Sequence, residues 1–521
     1  MKMKWKRITF VLALAMTFAM GGMTGKAMAA DLVVNEQNFP SEWLRNLMKT
    51  PLYDVNGDGI LSEKEIQNIT CLTNASCKLK GKDTLAVSPL YSDYLYYDKI
   101  ISGNDLTGKE LADTRGLEHL TACQKLALAG VSCNRLVIDH MPQSLQEIYL
   151  TDSVIDTLQV SGEGLDRLSF PGFYEGDLST GWGSYYVETE YGVEEVARVA
   201  SGVAVTKVNH LDVSGCTGLR GLYCDSPTLD TLDVSKNTEL LTLQCNGNQL
   251  RELDLSQNKK LTNLGCGHNQ LTQLDLSQNT QLEIVNCSFN QLTTLNIRQN
   301  KGLMALDASF NQLLQLDISR LPSLSSVMCG NNKLTKLICT TKSPVTLLDV
   351  HKNSLKTLNL SKMTKLRNLQ AAGNRLKRLD LRRNKNLLWL SCRNNKITKI
   401  SLPDADIWSK GYNEQLSSES NYYRSLFDGN PIRVADLSQS RNFKNIHKKN
   451  VINLMNGKYF WWYDIETGRY IRRETKKPVE KIIASKKLAV KDRNWLKRQA
   501  KKYGVKAVSY THLTLPTTER V

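Results

Sequence analysis

From Leu211 the chain repeats itself every 21 residues without a slip, and this periodicity limits the possible folds more than any other feature. LDVSKNTELLTLQCNGNQLRE begins at Leu232, LDLSQNKKLTNLGCGHNQLTQ at Leu253 and LDLSQNTQLEIVNCSFNQLTT at Leu274. Further copies begin at positions 295, 316, 337, 358 and 379. A unit this short cannot bury an apolar face alone, so the copies must stack as a solenoid. Within each copy, L-x-x-L-x-C-x-x-N-x-L alternates apolar with variable residues, which predicts a short strand with one face turned inward. The motif starts at Leu219, Leu240, Leu261, Leu282, Leu303, Leu324, Val345, Leu366 and Leu387, with looser copies at Cys123, Leu145 and Leu165. About twelve strands paired at ~4.8 Å in one parallel sheet would span roughly 55 Å. The remainder of each period is too short for a helix and two turns, so extended convex segments are expected and the fold class is mostly β.

Each column of the repeat has a physical reading. Asn248, Asn269, Asn290, Asn311, Asn332, Asn353, Asn374 and Asn395 stand where the chain turns inward, and an amide there can satisfy backbone groups that would otherwise be buried unpaired. Asp212, Asp233, Asp254, Asp275, Asp317 and Asp380 recur on the convex side, where a carboxylate stabilises a turn. Cys224, Cys245, Cys266, Cys287, Cys329 and Cys392 share a column with Ala308, Val350 and Ala371. Exchange with Ala and Val marks a small buried apolar site, so a stack of free thiols is expected there. Cys123, Cys133 and Cys339 also read as interior, while Cys71 and Cys77 are placed to form a short disulfide in an oxidising exterior.

The inner pattern resembles the leucine-rich repeat family, which implies a solenoid with a concave parallel sheet. Ahead of it, YDVNGDGILSEKEI lays Asp54, Asn56 and Asp58 on positions one, three and five of a twelve-residue calcium loop. Gly59 falls on the turn, Ile60 on the carbonyl position, Ser62 on position nine and Glu65 on the bidentate twelfth place. Trp43, Leu44, Leu47 and Met48 have helical spacing before the loop, and SEKEIQNI starts a second helix with Ser62 as cap. A lone loop suits a structural role, so calcium is expected to clamp a small helical N-terminal cap over residues 31–120. The cap followed by RGLEHLTACQKLAL is similar to the N-terminal organisation of secreted leucine-rich repeat proteins of Gram-positive bacteria, relatives of the internalins. The repeat length and the Cys column depart from the better-known internalins, so no partner transfers.

Residues 1–30 read as a cleaved signal peptide: Lys2, Lys4, Lys6 and Arg7 precede an uncharged run that ends near Ala27-Met28-Ala29. The protein is therefore expected to be secreted or cell wall-associated. The net charge of +17 is confined to the two ends, since residues 1–30 carry five cations and no acid and residues 469–506 carry net +12. A balanced body argues against nucleic-acid binding. The basic tail could touch anionic wall polymer or membrane peripherally.

The solenoid is expected over 121–402, interrupted at about 171–207 by a Gly- and Tyr-rich insertion with Trp182. Residues 403–507 read as a C-terminal cap, a hairpin around Glu466-Thr467-Gly468 and the basic tail. Residues 508–521, VSYTHLTLPTTERV, resemble the translation of a sequencing-library adaptor and are expected not to belong to the protein.

Function is then expected in recognition of a protein or glycan partner on the concave face. The seven histidines are scattered and no nucleophile motif or phosphate loop stands beside them, so no enzyme is expected. The alternative is a targeting module for a surface enzyme whose catalytic domain is missing from a truncated C-terminus. Ile284, Phe289, Met304, Phe310, Met328, Leu347 and Trp389 are expected to project from the concave face as a contiguous apolar patch, the usual mark of an interaction site. Phe289 and Phe310 share a column, however, and could instead fold over the edge and pack on one another.

Overall fold

The computed structural model describes residues 31–73, 114–170 and 206–403, apart from residue 152, together with separate stretches between 75 and 100, 186 and 195, and 430 and 509. The signal segment, Trp182 and the adaptor-like residues beyond 509 lie outside the described residues, as does the side chain of Cys77.

The chain is a mostly β solenoid. A 13-stranded parallel sheet runs from Cys71–Thr73 through Lys125–Ala129, Glu147–Thr151 and Arg167–Ser169, then one three-residue strand per repeat to Trp389–Ser391. Register is kept without offset: Leu243, Leu264, Val285, Leu306, Val327, Leu348, Leu369 and Leu390 face one another in turn and are buried. The zero offset follows from the constant period, since a slip of one residue would turn every Leu outward. The convex side is made of turns and short parallel pairs such as Gln315–Asp317 with Lys336–Ile338, without helices among the described repeat residues.

Two asparagine ladders hold the coils together. In the expected column, Asn269 Nδ2 donates to the carbonyl of Cys245 at 2.8 Å and its Oδ1 accepts from Leu250 N at 3.0 Å, both in the preceding coil. Asn290 to Asn395 repeat this pattern. A second ladder, which was not foreseen, is formed by Asn237, Asn258, Asn279, Asn300 and Asn384, all fully buried. Each donates to two carbonyls of the coil before it, as Asn279 does to Leu255 and Asn258. The convex aspartates close Asx turns: Asp233, Asp254 and Asp275 accept from the amides of Ser235, Ser256 and Ser277 at 2.8 to 2.9 Å.

The Cys column is buried throughout. Desolvation raises the thiols of Cys245, Cys266 and Cys287 well above their ordinary range and pushes Cys392 up to about 12. Cys133 and Cys339 correct the expectation of interior sites, because both are only partly buried.

At the N-terminus, helix α1 (Glu42–Met48) buries Trp43, Leu44, Leu47 and Met48, and helix α2 (Glu63–Asn68) buries Ile66. The cap also contributes the first strand of the solenoid sheet, since Cys71 pairs with Lys125 and Leu72 with Leu126. The insertion leaves this sheet uninterrupted: Arg167–Ser169 pairs directly with Gly221–Tyr223. Within the insertion, Tyr186–Thr189 and Gly192–Glu195 form an antiparallel hairpin. Its end is earlier than position 207, because Lys207–Gly215 already pairs in parallel with Val154–Ser161.

The boundary at 402 needs correction as well. Asn430 accepts from Ile397 N and donates to Cys392 carbonyl, as Asn395 does one coil earlier, and the parallel convex ladder continues through Val434–Leu437, Lys481–Ala484 and Lys506–Ser509. That last strand extends two residues past the adaptor boundary at 508. Phe460–Asp464 and Arg469–Arg473 form the expected hairpin. The tail contains helix α3 (Val490–Lys502), which buries Leu496 and Ala500 and exposes Lys491, Lys497, Arg498, Lys501 and Lys502.

Candidate functional site

Along each strand of the concave sheet two residues face outward on either side of the buried Leu or Val. The first outward row runs Thr242, Asn263, Ile284, Ala305, Ser326, Leu347, Asn368, Trp389, and the second Gln244, Gly265, Asn286, Asp307, Met328, Asp349, Gln370, Ser391. Of the seven residues expected in the apolar patch, Ile284, Leu347 and Trp389 stand in the first row and Met328 in the second. They are not contiguous: Ala305 and Ser326 separate Ile284 from Leu347, Asn368 separates Leu347 from Trp389, and Met328 lies between Asp307 and Asp349. Met304 precedes its strand at the sheet margin and is 40% exposed.

Phe289 and Phe310 do not project from the strands. Both follow the strand at positive φ, 53° each, and stack at 4.0 Å between centroids; His268, φ 54°, stacks on Phe289 at 4.0 Å. Elsewhere the same column holds Gly247, Asn331, Gly373 and Asn394, residues suited to that backbone conformation, and Lys352 at φ 48°. A left-handed conformation costs a residue with a side chain about 1–2 kcal/mol, whereas an aromatic pair returns about 0.5–1.5 kcal/mol. The ladder therefore sits near balance as a stability device, and it lines the rim where the chain leaves the sheet.

The polar centre of the face is built from two acids, Asp307 buried and Asp349 partly exposed. Asp307 is 1% exposed and accepts from Ser309 N, and desolvation pushes it up to about 6. Asp349 accepts from His351 Nδ1 at 2.7 Å, and His351 Nε2 meets Asn331 Nδ2 at 2.7 Å. The ring is thus held between a carboxylate on one nitrogen and an amide on the other.

A cluster that the sequence reading missed lies nearer the N-terminus, where Lys125, Glu147 and Arg167 align in the first outward row and Tyr149 and Tyr223 in the second. Lys125 Nζ binds Glu147 Oε2 at 2.6 Å, Tyr149 donates to the same oxygen at 3.0 Å, and the Arg167 guanidinium lies 5.5 Å from the Tyr223 ring centroid. The signal was available in the outward positions of the loose copies, where charged and aromatic residues replace neutral ones.

In the cap, the loop carries the backbone geometry its glycines call for. Gly57 and Gly59 have φ of 71° and 78°, and both donate to the Asp54 carboxylate, at 2.7 and 2.9 Å. Asp54 is 2% exposed. Asp58 accepts from Asn56 Nδ2 and from Ile60 N. Glu65 accepts from Val55 N and Ser62, closing the capping box of α2, and the Ser62 hydrogen bonds hold its carboxyl below the usual range. Strand β2 (Ile60–Leu61) inside the loop pairs antiparallel with β1 (Leu32–Val33). Among the described residues no three His, Cys, Asp or Glu side chains already converge on one point.

No protein-family model matches the chain, and no curated protein does. Among solved structures, the functional domain of InlJ from Listeria monocytogenes, described as including a cysteine ladder, is 19% identical, with 86% of this chain and 94% of that chain covered and a TM-score of 0.41. A leucine-rich repeat protein of Leptospira interrogans is 17% identical over 78% of this chain and 94% of its own, TM-score 0.40. The internalin InlF of Listeria monocytogenes is 16% identical over 73% and 94%, TM-score 0.35. The fold itself rests on the repeat and register described above. Among the described residues, no helix is long and apolar enough to cross a membrane.

Proposed function

We propose that this chain is a recognition protein, secreted or wall-associated, that binds a protein or glycan partner on its concave face. The observation that supports this reading most is the contrast between rows. The inward row is Leu or Val at every repeat strand, whereas the outward rows change chemistry from strand to strand. Packing fixes the inward row and leaves the outward rows free to vary, so it is there, on a rigid scaffold, that a binding surface can be specified. Trp389, with Leu388 beside it 39% exposed, offers an anchor of the kind that dominates binding energy. Substituting Trp389 by Ala should weaken a true partner by roughly 2 kcal/mol or more. Unchanged affinity would remove this residue from the site.

Calcium belongs to the same proposal as a structural cofactor. The donors available at Asp54, Asn56, Asp58, Ser62, Glu65 and the Ile60 carbonyl are all hard oxygens, which suits calcium and not a thiol-seeking metal. An almost fully buried carboxylate at Asp54 also calls for compensating positive charge. Calcium would take over oxygens now engaged by Asn56 and Ser62. The exposed cations of α3 would supply peripheral contact with anionic wall polymer or membrane.

A further inference from the structure

The cluster around Arg167 differs from the rest of the concave face in setting two cations, Lys125 and Arg167, on the single carboxylate of Glu147. Glu147, the nearest acid in register, already binds Lys125 Nζ and the Tyr149 hydroxyl through the same oxygen. Arg167 lies between Tyr149 and the face of Tyr223, half-buried. Gly221, opposite it in register, makes room: a Cβ there would stand 3.2 Å from the Tyr223 ring and 3.7 Å from Arg167 Cγ. The guanidinium is thus held over the Tyr223 ring and hydrogen-bonded to the Tyr149 side chain, half-buried at the concave surface. Two cations and one carboxylate leave the cluster at net +1.

An immobilised, partly desolvated Arg that shares its one carboxylate with a Lys is suited to capture of a further acidic group. We infer that Arg167 anchors a carboxylate side chain presented by a protein partner, an inference that rests on the concave face being the recognition surface. The neighbouring rows decide between an isolated acid and a polyanion. Beyond Tyr223 the outward residues Thr242, Gln244 and Asn263 are neutral, and the next strands bring Glu283, Asp307 and Asp349. A polyanionic polymer laid along the sheet would meet these acids, whereas a protein segment with one acid at this end would not. Charge complementarity therefore favours the protein segment.

Selective 15N-arginine labelling of the full chain gives an Nε–Hε signal for Arg167, assigned by its loss in Arg167→Lys. The probes are an amidated octapeptide with one glutamate between two tyrosines, its glutamine counterpart, and poly(glycerol phosphate). The expected result is a saturable shift with the glutamate peptide, binding at least tenfold weaker for the glutamine peptide, and loss of binding in Arg167→Gln. Arg167→Lys, which keeps the charge and loses the fork, should bind more weakly than wild type. No saturable shift with the glutamate peptide, equal binding of the two peptides, or preference for the polymer would overturn the inference. Wild-type affinity in Arg167→Gln together with weakened binding in Trp389→Ala would refute the Arg167 anchor and leave concave recognition standing. Binding indifferent to both variants would refute both.

Discussion

The Tyr53 hydroxyl donates to the carbonyl of Thr73 at 3.0 Å and accepts from the amide of the same residue at 2.9 Å. One buried phenol therefore closes both backbone groups of Thr73, the last residue of the first strand, and ties them to the residue preceding Asp54. Burial raises the Tyr53 phenol far above its ordinary range, so it stays protonated and able to play both roles. The loop of the cap and the solenoid sheet are thereby one mechanical unit.

Tyr53→Phe should cost about 1–3 kcal/mol, because it removes the hydroxyl that bonds both the carbonyl and the amide of Thr73 inside the core. Urea unfolding of the full chain measures it. A change below about 0.5 kcal/mol would mean that water replaces the hydroxyl.

Calcium should raise the melting temperature of the full chain, by about 2.7 kcal/mol of added stability at a hundredfold excess over Kd. Glu65→Gln should abolish the shift. Identical melting in chelator and in millimolar calcium would exclude the site.

The column thiols should resist alkylation in the native state and react after unfolding, since they are buried and held protonated. Cys339, half-exposed, should label before Cys266 or Cys287. Rapid native labelling of Cys266 would contradict the frame of the repeat.

Two buried acids should each make stability fall as pH rises between about 4 and 7, against His268, which burial pushes down to about 4 and which contributes in the opposite sense over the same range. Asp307 and Asp225, fully buried, are pushed up to about 6 and about 7 by desolvation, above their unfolded values. Below the unfolded pKa both states are protonated and no penalty exists. As pH climbs towards the folded values the unfolded state ionises first, and it is favoured by on the order of 1–3 kcal/mol for each acid. Asp307→Asn should flatten part of this slope in urea melts at pH 4 to 8, and an unchanged slope would assign it to other groups.

Much of this fold was legible because the period is constant. The inward Leu row, the Cys column and the Asn269-type ladder follow from spacing alone, and the cap helices follow from their apolar positions and from Ser62. The second ladder escaped notice although Asn237, Asn258, Asn279 and Asn300 keep the same period. An Asn among Ser, Gln and Lys in a turn reads as solvated, and only the packing of coils shows it buried. A concave position for Phe289 and Phe310 treats their column as strand, whereas the alternative, that they pack on one another at the edge, agrees with their stack and with the Gly and Asn at equivalent positions of the left-handed turn. The coil containing Asn430 was missed because it follows Asn395 by 35 residues instead of 21, which breaks the period without breaking the ladder. The Arg167 cluster is legible only once register brings four loosely matching strands side by side.

Concave recognition is tested most directly by comparing two single variants of equal stability against one partner captured on the wild-type chain. Trp389→Ala alters the concave row, and Arg382→Ala alters an exposed convex residue paired with Asp380. The account predicts that Trp389→Ala weakens binding by tenfold or more while Arg382→Ala leaves it unchanged. Loss of binding in the convex variant with full affinity in Trp389→Ala would contradict it.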